Sequence, residues 1–227
     1  MRVDLTDVTL IVDRSGSMSR IRKDAEGGIN SFLESQKAVP GELLVTLVQF
    51  DNKYEVVCQA IPVAKVPVYE LQPRGATALL DAVGRCIDDT GVRLSAMPES
   101  ERPGLVTIVI VTDGQENSSR QYTSRRVAEM IEHQQSAYQW KFVFLSSDLD
   151  AVEDAEDLSI PDEAVAHFEA DAVGKAWHVL GDKMVVARAA RMLRPDVDIQ
   201  FSQDERQQLS PQQFKATGAS GEGAETA

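Results

Sequence analysis

The sequence predicts an α/β fold: a doubly wound, mostly parallel sheet with helices on both faces and one antiparallel edge strand. Apolar, β-branched runs of strand length alternate with stretches of helical period in the order β-α-β-β-α-β-α-β-α-β-α. Most of these runs are apolar nearly throughout, as strands covered on both faces are. The Asp51-Asn52 turn separates the second run from the third and is too short for a helical crossover, so the third strand must return antiparallel as a hairpin.

The elements follow in order. Leu5 to Val12, L-T-D-V-T-L-I-V, reads as a buried strand that stops at Asp13 in a Ser/Gly loop. From Ser19 to about Val39, Ile21, Ala25, Ile29, Phe32 and Leu33 share one helical face, with Ser19 expected as N-cap and Pro40-Gly41 as the stop. Leu43 to Phe50 is the second strand and Tyr54 to Val63 the third. A proline-rich stretch from Pro62 to Pro73 leads to Arg74-Gly75-Ala76-Thr77, after which Leu79, Val83, Cys86 and Ile87 mark a helix. Leu105 to Val111, L-V-T-I-V-I-V, is the most apolar run and belongs mid-sheet; it ends at Thr112-Asp113-Gly114. Then come a helix carrying Val127, Met130, Ile131, Gln134 and Tyr138, a strand Lys141 to Leu145, and a short helix Asp148 to Leu158. A weak strand Ala164 to Phe168 and a long helix from Asp171 to about Leu193 complete the alternation. Residues 1–194 are therefore expected to form one domain. Residues 195–227, acidic and rich in Gln, Ser and Gly, are expected to form a tail that is flexible at least beyond 215.

Composition narrows the function. The 227 residues carry a formal charge of −13, which repels polyanions and disfavours nucleic-acid or anionic-membrane binding. Two cysteines, Cys58 and Cys86, form no CxxC pair and read as reduced thiols, so a cytoplasmic location is expected. The first ten residues carry acids and lack the apolar stretch of a signal peptide, and no run is long enough to span a membrane.

Three polar loops fall on one rim of the expected sheet, at the carboxyl ends of strands or at helix starts. They are D-R-S-G-S-M-S with Asp13, Ser15 and Ser17; R-G-A-T with Thr77; and V-T-D-G with Asp113. Two carboxylates and three hydroxyls make a hard, all-oxygen donor set, which suits Mg²⁺ or Mn²⁺, and also Ca²⁺, better than zinc or copper. Gly16 is expected to let the first loop turn so that its alternate side chains converge.

D-x-S-x-S, a Thr in a G-x-T loop and T-D-G after an apolar strand together resemble the metal-ion-dependent adhesion site of the von Willebrand factor type A domain. The resemblance covers roughly residues 3 to 193. D-R-S-G-S-M-S, F-D-N and G-A-T-A-L-L-D-A-V-G are similar to stand-alone bacterial and phage members. The resemblance implies a six-stranded sheet and a Mg²⁺ held directly by Ser15, Ser17 and usually Thr77, with Asp13 and Asp113 often acting through water. It further implies no enzymatic activity but a protein-binding adaptor whose partner offers an Asp or Glu to the metal, in some relatives beside an AAA+ ATPase or within a multi-protein assembly.

Other residues invite plainer readings. Asp51 and Asn52 are expected to serve the hairpin, Glu116 and Asn117 to line the site or lie in a solvated loop, and Arg14 and Arg74 to steer an acidic partner or offset local acids. His133, His167 and His178 lack zinc spacing. The competing class is a Mg²⁺-dependent phosphoryl-transfer enzyme or a receiver-like domain. The phosphatase pattern wants D-x-D where this chain has Asp13-Arg14-Ser15, and a receiver wants an acidic pair where Val12 stands.

Overall fold

The computed structural model describes residues 1–194 and 197–211. Its six strands are β1 (Arg2–Asp13), β2 (Glu42–Phe50), β3 (Tyr54–Pro62), β4 (Pro103–Thr112), β5 (Lys141–Ser146) and β6 (Val165–His167). They form one sheet in the order β3-β2-β1-β4-β5-β6. Only the β2–β3 pair is antiparallel. The hairpin, the edge position of β3 and the central place of β4 agree with the sequence reading.

Helices α1 (Arg22–Lys37), α2 (Leu79–Ser95), α3 (Ser124–Tyr138), α4 (Leu149–Asp157) and α5 (Val173–Arg191) cover the two faces. Strand alternation sends Val8, Leu10 and Val12 of β1 to the face packed by α1 and α5, and Ile11 to the face packed by α2, α3 and α4. Burial on both sides explains why these strands read as continuous apolar runs. On the first face, Gly28 of α1 lies against the Trp177 ring of α5, where a β-carbon would collide with the indole. The same pair of helices is tied by Arg188, which is buried and, among the described residues, has no carboxylate partner. Its guanidinium donates to the Gln36, Val39 and Gly41 carbonyls at the end of α1 and to Gln36 Oε1. On the second face, buried Asp7 of β1 takes a two-pronged hydrogen bond from Arg93 of α2, at 2.8 and 2.9 Å.

Two expectations need correction. Ser19 is not the N-cap of α1: residues Gly16–Arg20 form a separate 3-10 turn, Ser19 donates to the Gly16 carbonyl within it, and α1 begins after Ile21. Nor does packing stop at residue 194. Val197, Ile199 and Phe201 alternate into the α1–α5 core, and a short helix, α6 (Gln203–Leu209), adds Leu209. Ser202 and Glu205 close a capping box on α6, with Ser202 Oγ accepting from Glu205 N at 3.2 Å and Glu205 Oε2 accepting from Ser202 N at 2.7 Å. Lys183 on α5 pairs with Glu205 at 2.8 Å, and Lys141 pairs with Asp198 at 2.6 Å. Polar composition hid four well-spaced apolar side chains. The part of the expected tail beyond 211 lies outside the described residues.

Candidate metal site

The parallel register brings the three polar loops together. Asp13 closes β1 and Thr112 closes β4, on neighbouring strands at the carboxyl end of the sheet. Open α/β sheets place ligands at this end, where loops diverge around a switch in strand order.

In the first loop, Asp13 is fully buried and both its oxygens are engaged. Oδ1 accepts from Ser15 N and Oδ2 from Thr112 Oγ1, each at 2.6 Å. Ser15 opens the 3-10 turn, and its hydroxyl lies 2.9 Å from that of Ser17. Ser17 in turn donates to Asp113 Oδ1 at 2.6 Å, which links the first loop to the third. Gly16 has no special backbone angle, and a β-carbon there would make only an ordinary contact 3.6 Å from the Gly75 carbonyl. The glycine this site needs is Gly75 in the second loop, with φ +74° and its α-carbon so close to Asn52 that a β-carbon would sit 2.6 Å from Asn52 Oδ1.

The second loop is held by the hairpin. Asn52 Oδ1 accepts from Ala76 N at 2.8 Å, and the Asp51 carbonyl accepts from Ala78 N at 3.2 Å. Asp51 Oδ2 takes hydrogen bonds from Arg14 Nε and Arg74 Nε, at 3.0 and 2.8 Å. Asp51 and Asn52 thus shape the Thr77 loop as well as their own turn. Thr77 is clamped from the other side, donating its N–H to Asn117 Oδ1 at 2.9 Å and accepting from Asn117 N at 3.0 Å. Glu116 accepts from Leu80 N at the start of α2 and from the Ser118 and Ser119 amides. Glu116 and Asn117 therefore fix the second loop and the first turn of α2, a structural part their position beyond Asp113 did not reveal.

The third loop contributes Asp113, whose side chain is buried. Its Oδ2 has no hydrogen-bond partner and is, among the described residues, the one buried carboxylate oxygen left in that state. A β-carbon on neighbouring Gly114 would stand 3.5 Å from Ser17 Oγ and 3.8 Å from Thr77 Oγ1, so both hydroxyls face the same small space. All five residues singled out in the sequence meet on this rim. Burial pushes the Asp13 carboxyl up to about 6, opposed by hydrogen bonds from Thr112 and Ser15, and also raises Asp113 above the usual carboxylate range.

Basic residues are arranged differently from the expectation. Arg14 is buried and Arg74 half-exposed, and both are spent on Asp51, with Arg14 also reaching Glu55 at 2.9 Å. Arg20, which the sequence reading passed over, stands 3.7 Å from Asp113 Oδ2. A cavity of about 440 Å³ opens at the opposite, amino end of the sheet, lined by Leu94, Arg102, Val106, Tyr138 and Trp140, and none of the five site residues borders it. Among the described residues no helix is long and apolar enough to cross a membrane. Both cysteines are unpaired.

No protein-family profile matches the sequence, and no curated protein matches it either. Solved structures do. The vWF domain of the type V pili tip protein Mfa5 from Porphyromonas gingivalis superposes with a TM-score of 0.62 at 10% identity, covering 80% of this chain and 95% of that one. A von Willebrand factor type A structure from Catenulispora acidiphila gives 0.56 at 15% identity over 81% of this chain. The fold is that of a von Willebrand factor type A domain. A further similar structure is that of proximal thread matrix protein 1 from the mussel byssus with a zinc-occupied MIDAS motif, at a TM-score of 0.58 and 13% identity over 79% of this chain. The chain spans 46% of that byssus protein and 42% of the Catenulispora chain.

Proposed function

We propose that this chain is a divalent-cation-dependent protein-binding module of the type A class, without enzymatic activity. Asp13, Ser15, Ser17, Thr77 and Asp113 would hold the ion. The observation that carries the reading is Asp113 Oδ2, a buried oxygen without a hydrogen-bond partner beside a space faced by the Ser17 and Thr77 hydroxyls. A buried, unsatisfied carboxylate oxygen costs stability unless a cation compensates it. The donor set fits Mg²⁺ or Mn²⁺, since all five residues offer oxygen. Hydroxyls supply three of the five donors, and among the described residues no group of three or more carboxylates, imidazoles or thiols is placed to hold a metal.

When bound, the ion supplies an electropositive coordination position that a partner's Asp or Glu can fill. Asp13 orients the first loop, Thr112 fixes Asp13, and Asn117 fixes Thr77, so the hydroxyls are placed before the ion arrives. The Ser15 and Ser17 hydroxyls hydrogen-bond to each other, and Ser17 also to Asp113, rather than to an imidazole, which favours a ligand role over a nucleophilic one. The two unpaired thiols suit a cytoplasmic adaptor. Its partner would be a protein with an exposed acidic side chain, such as a component of an AAA+ ATPase complex or another multi-protein assembly.

Calorimetric titration with Mg²⁺ and Mn²⁺, followed by partner capture with and without EDTA, tests this. Saturable binding by the wild type, lost in Asp113→Ala, and capture that fails in EDTA are expected. No saturable binding at millimolar metal overturns the metal site. Mg²⁺-dependent phosphate release abolished by Asp13→Asn would install the phosphoryl-transfer reading instead.

A further inference from the structure

We propose that Arg20 makes this site selective for a carboxylate, guarding Asp113 before the cation binds and gripping the partner's carboxylate afterwards. The inference rests on the metal-site reading above and extends it to a residue outside the five-part motif. Arg20 closes the 3-10 turn that also carries Ser17, so its place relative to the site is fixed by the same local backbone. Its side chain is 74% exposed, while the Asp113 side chain it faces is 1% exposed. The guanidinium therefore stands on the solvent side of the site, at its mouth. At 3.7 Å from Asp113 Oδ2 it offsets the carboxylate's charge without giving that oxygen a hydrogen bond. Among the described residues it is the one basic side chain within 4.0 Å of either site carboxylate.

Two consequences of opposite sign follow. A divalent ion taking Asp113 Oδ2 would meet a positive charge close by, so Arg20 must swing aside, and its presence weakens cation binding. A single positive charge swung to about 8 to 10 Å from a divalent ion at a solvated surface still weakens its binding by roughly fourfold to sixfold. Once displaced, the guanidinium remains at the mouth on an exposed, flexible stem. An arriving carboxylate gives one oxygen to the metal and leaves the other for an N–H of Arg20, a charge-assisted contact for which the planar guanidinium is suited. Arg14 and Arg74 do not take this part, being held by Asp51 and Glu55. In a chain of net charge −13, a local cation at the mouth also offsets the repulsion an acidic partner meets at distance.

Mn²⁺ titration followed by acetate titration of the Mn²⁺-loaded protein, both read by water-proton relaxation, separates the two parts. Arg20→Ala should bind Mn²⁺ about fourfold to sixfold more tightly than wild type, yet acetate should displace the metal-bound water about fivefold less readily. Arg20→Lys, which keeps the charge and loses the planar fork, should restore wild-type Mn²⁺ affinity and only part of the acetate affinity. Arg125→Ala, an exposed arginine paired with Glu129 on α3, should change neither. Equal Mn²⁺ affinities in wild type and Arg20→Ala, or unchanged acetate binding, overturn the role of Arg20 and leave the metal site standing. Shifts of the same size in Arg125→Ala overturn it too, since net charge would then be the cause. If neither wild type nor Arg20→Ala binds Mn²⁺, the metal-site reading fails and takes this inference with it.

Discussion

At the residue scale the site depends on side chains that would never touch a metal. Thr112 holds Asp13 Oδ2 through a 2.6 Å hydrogen bond. Losing such a supporting contact typically costs a metal site about tenfold to a hundredfold in affinity. Thr112→Val should therefore weaken Mn²⁺ binding by at least about tenfold in titration calorimetry, with an unchanged far-ultraviolet circular dichroism spectrum. Proton linkage gives a second expectation. Burial raises Asp13 to about 6 and raises Asp113 as well, against about 3.9 for an unfolded Asp. The folded, metal-free protein thus holds protons that the unfolded chain releases. The stability these groups contribute is fully present below about pH 4 and is lost as pH rises through about 6. A cation binding the ionised pair reverses that loss, so Mg²⁺ should raise the melting temperature more at about pH 7.5 than at about pH 5. Equal shifts at both would contradict the linkage. The five residues proposed to hold the ion could be singled out in the sequence because their spacing within each loop is local. Arg20 was not singled out, Thr112 stood only as part of the T-D-G motif, and Asn117 was expected to line the site or lie in a solvated loop, because their roles depend on where three distant loops meet. Gly16 and Gly75 show the same limit, since both glycines are visible but the need for a positive φ exists only at Gly75.

At the element scale the hairpin and the C-terminal segment carry more than the sequence suggested. The β2–β3 turn holds the Thr77 loop through Asn52, so Asn52→Ala should lower metal affinity while leaving the thermal midpoint within a few degrees. A loss of folding instead would mean that Asn52 serves the hairpin before the site. Residues 197–209 bury Val197, Ile199, Phe201 and Leu209, each at 4% exposure or less. Exposing a buried side chain of this size costs roughly 1.5 to 3 kcal/mol. Deleting the chain from residue 195 onward should accordingly lower the melting temperature by well over 5 °C, read by calorimetry. An unchanged midpoint would restore the reading of this segment as an undocked tail. The strands and long helices were legible because burial on both faces leaves uninterrupted apolar runs. Helix α6 was missed although S-Q-D-E over Ser202 to Glu205 is a capping-box pattern, because seven residues give too few turns for an apolar period to show.

At the scale of the whole molecule, the parallel order of β2, β1, β4, β5 and β6 fixes that the loops with chemistry share one rim. The mostly parallel character of the sheet was inferred from the alternation of elements and the antiparallel edge from one short turn, whereas the strand order itself, which depends on contacts between distant segments, was not. The candidate metal site lies at the carboxyl rim and the cavity at the amino end, at opposite ends of the sheet. The buried cation on the other helical layer has its own bearing on how the molecule breathes. Arg188 has four oxygens from the end of α1 and, among the described residues, no acidic counterion, so peeling α5 away would strip a desolvated charge of these ligands in a single event. Intermediate openings of α1 and α5 should then be scarce. In native-state hydrogen exchange, amides from Phe32 to Lys37 and from Met184 to Arg191 should open together, with a common free energy and a common denaturant dependence, as one cooperative unit.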